Sequence, residues 1–118
     1  MAVVELTNDN YTSLIEEHEI VVISFCAPQS EECAVFDPIF DEVSNSMSHT
    51  LFCRCNLSTS AEVASSLGVA SAPAIVLFRD GYCIFKQEGA PNQEGLEQLI
   101  NQAAQLDMDM VRSELESA

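Results

Sequence analysis

A cysteine three residues after a serine is the pair of side chains in this chain best placed for chemistry. The segment Ser30-Glu31-Glu32-Cys33 follows a predicted strand and opens a helix predicted over about residues 31–48. A thiolate is a strong nucleophile that the positive end of a helix dipole favours, whereas the two glutamates oppose its formation. The net effect on Cys33 stays open. Cys33 is therefore either a small buried apolar side chain or a slow thiol that forms long-lived mixed disulfides.

Ser30 could be a nucleophile or a helix cap. A serine hydroxyl becomes nucleophilic only beside a general base, and the only histidines, His18 and His49, are predicted in or beside helices away from this turn. Its side chain can instead accept a hydrogen bond from the backbone N–H of Cys33, a cap worth about 1 kcal/mol. We therefore expect Ser30 to stabilise the helix and not to act as a nucleophile.

The other four cysteines provide weaker signals. Cys26 ends the strand before the turn and can pair with Cys33 only if their Cα atoms lie within about 7 Å, which the sequence leaves open. Cys53 and Cys55 form a Cys-x-Cys in a predicted strand, and we expect their side chains to point to opposite faces. Because no second pair stands at zinc spacing, we expect no metal. We also expect no cofactor, and we interpret Cys83 as packing or incidental.

Length and charge narrow the possible functions. The 118 residues are enough for one domain with a conventional core, which we place at residues 1–105, followed by a helical extension or linker at 106–118. Nineteen acidic residues against four basic ones give a net charge of −15. Because nucleic acids and anionic membranes require clustered Lys and Arg, we expect neither as a partner.

The first residues predict the compartment. They lack the basic segment of a secretory signal, and no apolar run approaches the length of a membrane span. We therefore expect a cytoplasmic protein whose cysteines are mostly free thiols in a reducing environment.

Apolar periodicity predicts nine elements in the order β-α-β-α-β-α-β-β-α. Strands are predicted at residues 3–6, 20–25, 51–57, 74–78 and 82–87, and helices at 9–18, 31–48, 61–67 and from about 93. The first helix is expected to be capped by Thr7 or Asn8. Strands that alternate with helices imply parallel crossovers, and the final hairpin, turning at 79–81, adds an antiparallel edge. The tail after Leu106 remains compatible with a helix, either as an extension of the last one or as a linker.

Four segments fall in the order and spacing of landmarks of one known family. Segment 21–33, Val-Val-Ile-Ser-Phe-Cys-Ala-Pro-Gln-Ser-Glu-Glu-Cys, resembles the strand and active-site turn of thioredoxins, in which the turn reads Trp-Cys-Gly-Pro-Cys. Segment 37–42 resembles the kinked middle of the thioredoxin active-site helix, 67–73 the approach to the family's cis-proline, and 78–81 its strand-ending turn. The resemblance covers about residues 3–104. It implies the thioredoxin fold, an α/β domain with a central mixed sheet of about five strands flanked by four helices.

The departures from the family pattern are concentrated at the active-site turn. By this resemblance, Ser30 stands where the family has its nucleophilic cysteine, whereas Cys33 retains the second one. Cys26 and Gln29 stand where the family has tryptophans, and Glu31-Glu32 stand where it has Gly-Pro. Ser24 stands where the family has a buried aspartate that assists proton transfer. The resemblance therefore does not imply a standard dithiol–disulfide reductase.

The pair Ala72-Pro73 matches the peptide-binding part of the family pattern. In the family this proline is cis and leaves the preceding backbone free to pair with an extended peptide. The resemblance implies a shallow groove lined by Ser30, Cys33, Ala72 and Pro73, with the replaced positions 26 and 29 beside it. Alternatively, Pro73 only maintains the fold.

Three functions remain open at this point. The Ser-x-x-Cys turn and the loop 89–94 resemble those of bacterial chaperone-type thioredoxins, which implies polypeptide clients that Cys33 can trap as mixed disulfides. The second function is a weak or specialised thiol–disulfide oxidoreductase that uses Cys33 alone or with Cys26. The third is a redox-inactive adaptor domain of a larger protein, similar to the thioredoxin domains attached to monothiol glutaredoxins. The oligomeric state stays open.

Overall fold

A mixed sheet of five strands is flanked by five helices. The computed structural model describes residues 3–117, with side chains as far as Glu114, so residues 1, 2 and 118 of the predicted ranges lie outside the described part. The strands are β1 (Val3–Leu6), β2 (Ile20–Cys26), β3 (Leu51–Asn56), β4 (Ala74–Arg79) and β5 (Tyr82–Glu88). The helices are α1 (Tyr11–Glu17), α2 (Glu31–Ser46), α3 (Ala61–Ser66), α4 (Gln93–Ala104) and α5 (Met108–Ser117).

Strand β2 occupies the middle of the sheet, in which the strand order is β1-β3-β2-β4-β5. It runs parallel to β3 and antiparallel to β4, and its last residue, Cys26, is in register with Asn56. All seven residues of β2 are buried, which explains why the strand is a nearly continuous apolar run. The predicted parallel crossovers are confirmed for β1, β2 and β3, and the predicted antiparallel hairpin for β4 and β5. The connection through α3 corrects the prediction, because β4 runs antiparallel to β2.

The core lies on both faces of the sheet, and α2 covers one of them. Along α2, Phe36, Phe40 and Val43 recur at spacings of four and three, so they share one face and pack against the sheet. Cys33 lies three residues before Phe36 and therefore on the same inward face, where it is buried. The packing of α2 thus directs the thiol toward the sheet.

The start of α1 corrects a prediction. The helix begins at Tyr11 and not at Asp9, and its N-cap is Asn10 and not Thr7 or Asn8. The Thr7 hydroxyl instead accepts hydrogen bonds from the backbone N–H groups of Asp9 and Asn10, and the Asn10 side chain accepts one from the Thr7 N–H at 2.7 Å. These local bonds hold the segment as a turn, which competes with the first turn of the helix.

The tail forms a helix of its own and does not extend α4. Met108, the first residue of α5, is buried, and Arg112 pairs with Asp80 at 3.2 Å, so α5 contacts the β4–β5 turn. The four predicted helices flank the sheet, and α5 is a fifth. The division into a domain ending at residue 105 and an extension stays a prediction.

Cys53 and Cys55 also correct a prediction, because both side chains belong to one apolar cluster on one face of β3. Residues two apart in a strand point to the same side. Our expectation of opposite faces was wrong on this elementary ground.

Candidate functional site

The turn between β2 and α2 brings three of the predicted site residues together. Strand β2 ends at Cys26, the Ser30 N–H donates to Ala27 O at 3.1 Å, and α2 begins at Glu31. The Ser30 hydroxyl accepts the backbone N–H of Cys33 at 3.2 Å, which confirms the predicted helix cap. The hydroxyl is therefore engaged with the helix terminus as its cap.

Cys26 and Cys33 share one cavity at the end of the sheet. The Cys33 cavity, as we name it, has a volume of about 200 Å³. Its walls are formed by Cys26, Ala27, Pro28, Ser30, Cys33, Ala34, Asp37, Arg54 and Asn56. Cys33 is 3% exposed and Cys26 is 8% exposed, so both thiols belong to buried residues of the cavity wall. Pro28 is exposed and Ser30 half-buried, which places the mouth of the cavity at the turn.

The Cys26 thiol lies in a polar environment. Its Sγ is 3.5 Å from Ser24 Oγ and donates to Asp37 Oδ1 at 3.5 Å. The pKa of Cys26 is raised to about 12, chiefly by burial, with smaller raising contributions from the Cys33 thiol and the Asp37 carboxylate against a lowering hydrogen bond from Ser24. Cys26 is therefore a protonated thiol at neutral pH.

Arg54 brings a positive charge to the same cavity. Its Nε lies 3.2 Å from Asp37 Oδ1, its Nη2 lies 3.1 Å from Asp41 Oδ1, and its guanidinium lies over the ring of Phe40 at 5.8 Å. The sequence interpretation did not identify Asp37, Asp41 or Arg54 as parts of the site. A signal was available, because Asp37 and Asp41 stand four residues apart on one helix and one of only four basic residues stands in the strand that the helix covers.

The predicted groove residues Ala72 and Pro73 precede β4, whose first residue, Ala74, is in register with Phe25 near the end of β2. The Ala72-Pro73 peptide bond is cis, as the resemblance implied, and Pro73 O accepts the Gly89 N–H at 2.8 Å. Among the described residues, neither Ala72 nor Pro73 lines the Cys33 cavity. Gln29 is exposed and lines a separate depression of about 170 Å³ beside the turn. The structure thus brings Cys26, Ser30 and Cys33 into one cavity, and the peptide groove that they were expected to form with Ala72 and Pro73 stays a prediction.

A larger, mostly apolar groove lies on the other side of the first turn of α2. The Val35 groove, as we name it, has a volume of about 510 Å³. It is lined by Glu31, Glu32, Val35, Phe36, Ile39, Ala90, Pro91 and Asn92. Val35 is 70% exposed, unusually high for a valine, so the groove offers an uncovered apolar contact beside two carboxylates.

The described part of the chain shows no group of three or more His, Cys, Asp or Glu side chains that could hold a metal ion. Burial raises the pKa of Cys53 to about 12 and that of Cys55 to about 11, so both thiols of the Cys-x-Cys are protonated at neutral pH. Cys83 is exposed on β5. No helix within residues 3–117 has both the length and the apolar character needed to cross a bilayer.

Comparison with known proteins identifies the family. The family model described as Thioredoxin matches residues 2–102. This chain belongs to the thioredoxin family. A putative thioredoxin 2 of Streptomyces coelicolor is 31% identical over 109 residues, which are 92% of this chain and 81% of that protein. The thioredoxin of Bacillus subtilis is 26% identical over 102 residues, 86% of this chain and 97% of the relative.

Solved thioredoxin structures have the same fold. Mitochondrial thioredoxin 3 of Saccharomyces cerevisiae, in its oxidised form, is 28% identical with a TM-score of 0.78, over 85% of this chain and 94% of that one. A mutant thioredoxin from Halobacterium salinarum superposes with a TM-score of 0.83 at 19% identity, over 89% and 93% of the two chains. The thioredoxin fold is thereby confirmed, and the matches extend over most of each relative.

Proposed function

We propose that this thioredoxin-family protein binds polypeptide clients at the start of α2 and forms mixed disulfides with them through Cys33. The observation that carries the proposal is the Val35 groove, an open apolar surface of about 510 Å³ within the first two turns of α2. The Cys33 cavity lies on the other side of the same turn. A chain held in the groove therefore has a thiol close to it.

The proposal excludes the standard dithiol mechanism, because Ser30 stands where the family resemblance places the attacking cysteine. Its hydroxyl caps α2 through Cys33 N–H. The two histidines do not serve it, since His18 Nδ1 bonds Leu14 O at 2.9 Å at the end of α1 and His49 is exposed after α2. Attack on a client disulfide falls to the remaining thiol of the turn, Cys33.

Apolar contact is the driving force for client binding. Unfolded chains expose apolar side chains, and burying about 100 Å² of apolar surface contributes roughly 2.5 kcal/mol before the entropic penalty of association. Glu31 and Glu32 border the groove, so clients with basic residues beside the apolar segment gain additional attraction. The net charge of −15 acts in the same direction.

The test is suppression of thermal aggregation of a denatured client by stoichiometric protein. We expect Val35→Ser to weaken suppression severalfold. Met110→Ser is the matched control, because Met110 is 62% exposed on α5 and is absent from the lining of the groove. Equal suppression by both variants, or none by the unmodified protein, contradicts client binding at this surface.

A second candidate function, a weak thiol–disulfide oxidoreductase, is favoured by the shared cavity of Cys26 and Cys33. Reduction of insulin disulfides tests it. Activity that is lost in Cys33→Ser supports the enzyme, whereas activity that survives this substitution contradicts it.

A further inference from the structure

Two cysteines that are seven positions apart in the sequence meet inside the fold. Cys26 is the last residue of β2, and Cys33 lies in the first turn of α2. Both line the Cys33 cavity, and both side chains are buried, Cys33 with 3% and Cys26 with 8% of its surface exposed. The family's usual pair lies within the turn itself, whereas this pair joins a strand to a helix.

We propose that Cys26 is the resolving thiol of Cys33, so that a mixed disulfide between Cys33 and a bound polypeptide ends in an internal Cys26–Cys33 disulfide. The inference rests on the proposed function, since the polypeptide is the client captured by Cys33. With a resolving thiol, the mixed disulfide between Cys33 and the client has a finite lifetime, whereas Cys33 alone would hold the client indefinitely.

The reaction takes two exchange steps and balances without a further reactant. In the first, the Cys33 thiolate attacks one sulfur of a client disulfide, a Cys33–client bond forms, and the other client sulfur leaves as a thiolate. In the second, Cys26 Sγ attacks Cys33 Sγ, the internal disulfide forms and the Cys33–client bond breaks. The client sulfur leaves and takes the proton that Cys26 gives up. The client disulfide is reduced by two electrons, and the two protein thiols are oxidised.

Position divides the two roles. Cys33 lies in the first turn of α2, which borders both the Val35 groove and the Cys33 cavity, so it is the sulfur placed beside a bound client. Cys26 donates a hydrogen bond to the Asp37 carboxylate at 3.5 Å, so it is the protonated thiol that resolves the mixed disulfide.

The groups that face Cys26 predict a slow second step. The Asp37 carboxylate on α2 opposes loss of the Cys26 proton, whereas the Arg54 guanidinium on β3 lines the same cavity and attracts the thiolate. Ser24, on β2, contacts the sulfur at 3.5 Å. Because burial raises the pKa of Cys26 to about 12, the rate of the second step rises about tenfold per pH unit through the neutral range.

The experiment is a single turnover followed by intact mass spectrometry under non-reducing conditions. All proteins carry Cys83→Ser, which removes the exposed cysteine. The probe is an apolar, basic peptide whose one cysteine is activated as a disulfide with thionitrobenzoate. The parent protein should pass through a peptide adduct. It should end lighter by two hydrogen atoms, with a disulfide that peptide mapping assigns to residues 26 and 33.

Cys26→Ser is the decisive variant, and Cys26→Ala repeats it without a hydroxyl. In both, the adduct at Cys33 should persist at least about tenfold longer than in the parent, because the resolving thiol is missing. Circular dichroism verifies that each variant folds. Equal adduct lifetimes in parent and variants, or an internal disulfide elsewhere, overturn the inference.

Failure of the proposed function gives a different result. If Cys26→Ser forms no adduct while the parent still closes the internal disulfide, client capture by Cys33 is refuted together with the resolving role of Cys26, and only the pairing of the two thiols remains. If the parent forms an adduct that never resolves, client capture stands and the pair is refuted. Absence of both adduct and closure overturns both proposals.

Discussion

Replacing Asp37 by asparagine should make the Cys26 thiol more acidic and more reactive. Asp37 Oδ1 lies 3.5 Å from Cys26 Sγ, and its negative charge opposes the thiolate. Asparagine keeps the shape and a hydrogen-bond acceptor but removes the charge. Burial is the larger cause of the raised pKa and is unchanged by the substitution, so the pKa of Cys26 should fall without returning to its ordinary value.

The size of the effect follows from the distance and the exposure. Two unit charges at this separation interact by roughly 5 kcal/mol at an effective dielectric constant of 20 and by roughly 1 kcal/mol in water. The Asp37 side chain is 39% exposed and shares its charge with Arg54 Nε at 3.2 Å, so the value lies near the aqueous limit. About 1.4 kcal/mol corresponds to one pKa unit and a tenfold larger thiolate fraction. Because nucleophilicity falls with basicity, the net gain in reaction rate is about threefold.

The assay is alkylation by chloroacetamide at about pH 8, where little of the thiol is ionised, with each cysteine followed by mass spectrometry. The proteins carry Cys33→Ser and Cys83→Ser, so that Cys26 is the reactive thiol at the cavity. Cys53 is the internal control, because its pKa is also raised to about 12 by burial and Asp37 is not among the causes. Faster alkylation of both cysteines would indicate opening of the fold.

Asp41→Asn is the matched control for the lost ion pair, because Asp41 also binds Arg54, at 3.1 Å, but does not contact the sulfur. We expect unchanged alkylation of Cys26 in this variant. An Asp37→Asn protein in which Cys26 reacts no faster than in its parent refutes the electrostatic reasoning.

Three further predictions concern stability, each measured as the free energy of unfolding in urea. Ser30→Ala should lower it by about 1 kcal/mol, since the side-chain cap of α2 is lost, and Ser30→Asp should retain it; an unchanged alanine variant would contradict the role of the cap. Phe40→Ala should lower the free energy of unfolding by about 3–5 kcal/mol, because the ring is fully buried and packs edge-on against Phe52 at 5.2 Å. A loss below about 1 kcal/mol would contradict this, since it would mean that neighbouring side chains fill the space left by the ring. Gly68→Ala should destabilise the protein by roughly 1 kcal/mol, because Gly68 has a φ of +73°, which a residue with a Cβ adopts only under strain. The new Cβ would also require the Lys86 ammonium to shift, and no change in stability would mean that the turn relaxes.

The fold was largely predictable because its strands are strongly patterned. Strand β2 is apolar over nearly its whole length, and the β4–β5 turn has Asp80 at φ 53° and Gly81 at φ 85°, the left-handed conformations that a tight hairpin requires. The start of α1 was not predictable from the choice of capping residue alone. Thr7 and Asn10 both satisfy neighbouring backbone N–H groups, and only the competition between them decides where the helix begins.

The candidate site was predictable where its parts are local in sequence. The bond from Cys33 N–H to Ser30 spans three residues, so the sequence alone predicts it. Asp37 and Arg54 are 17 residues apart in the sequence and contact each other because α2 packs across β3. A local sequence pattern does not predict this packing. The cavity that joins them to Cys26 exists only in the folded chain.

The sequence by itself determined the thioredoxin-like order of elements, the replacement of the attacking cysteine by Ser30 and the cap that this serine forms. Helix and strand propensity, apolar periodicity and helix capping act over a few residues and can therefore be predicted from the sequence. Only the tertiary structure decided that Cys26 faces Cys33, that Asp37 lies beside the sulfur, and that Val35 remains uncovered. These depend on how a helix is rotated and placed on the sheet, and that placement results from packing of the whole core.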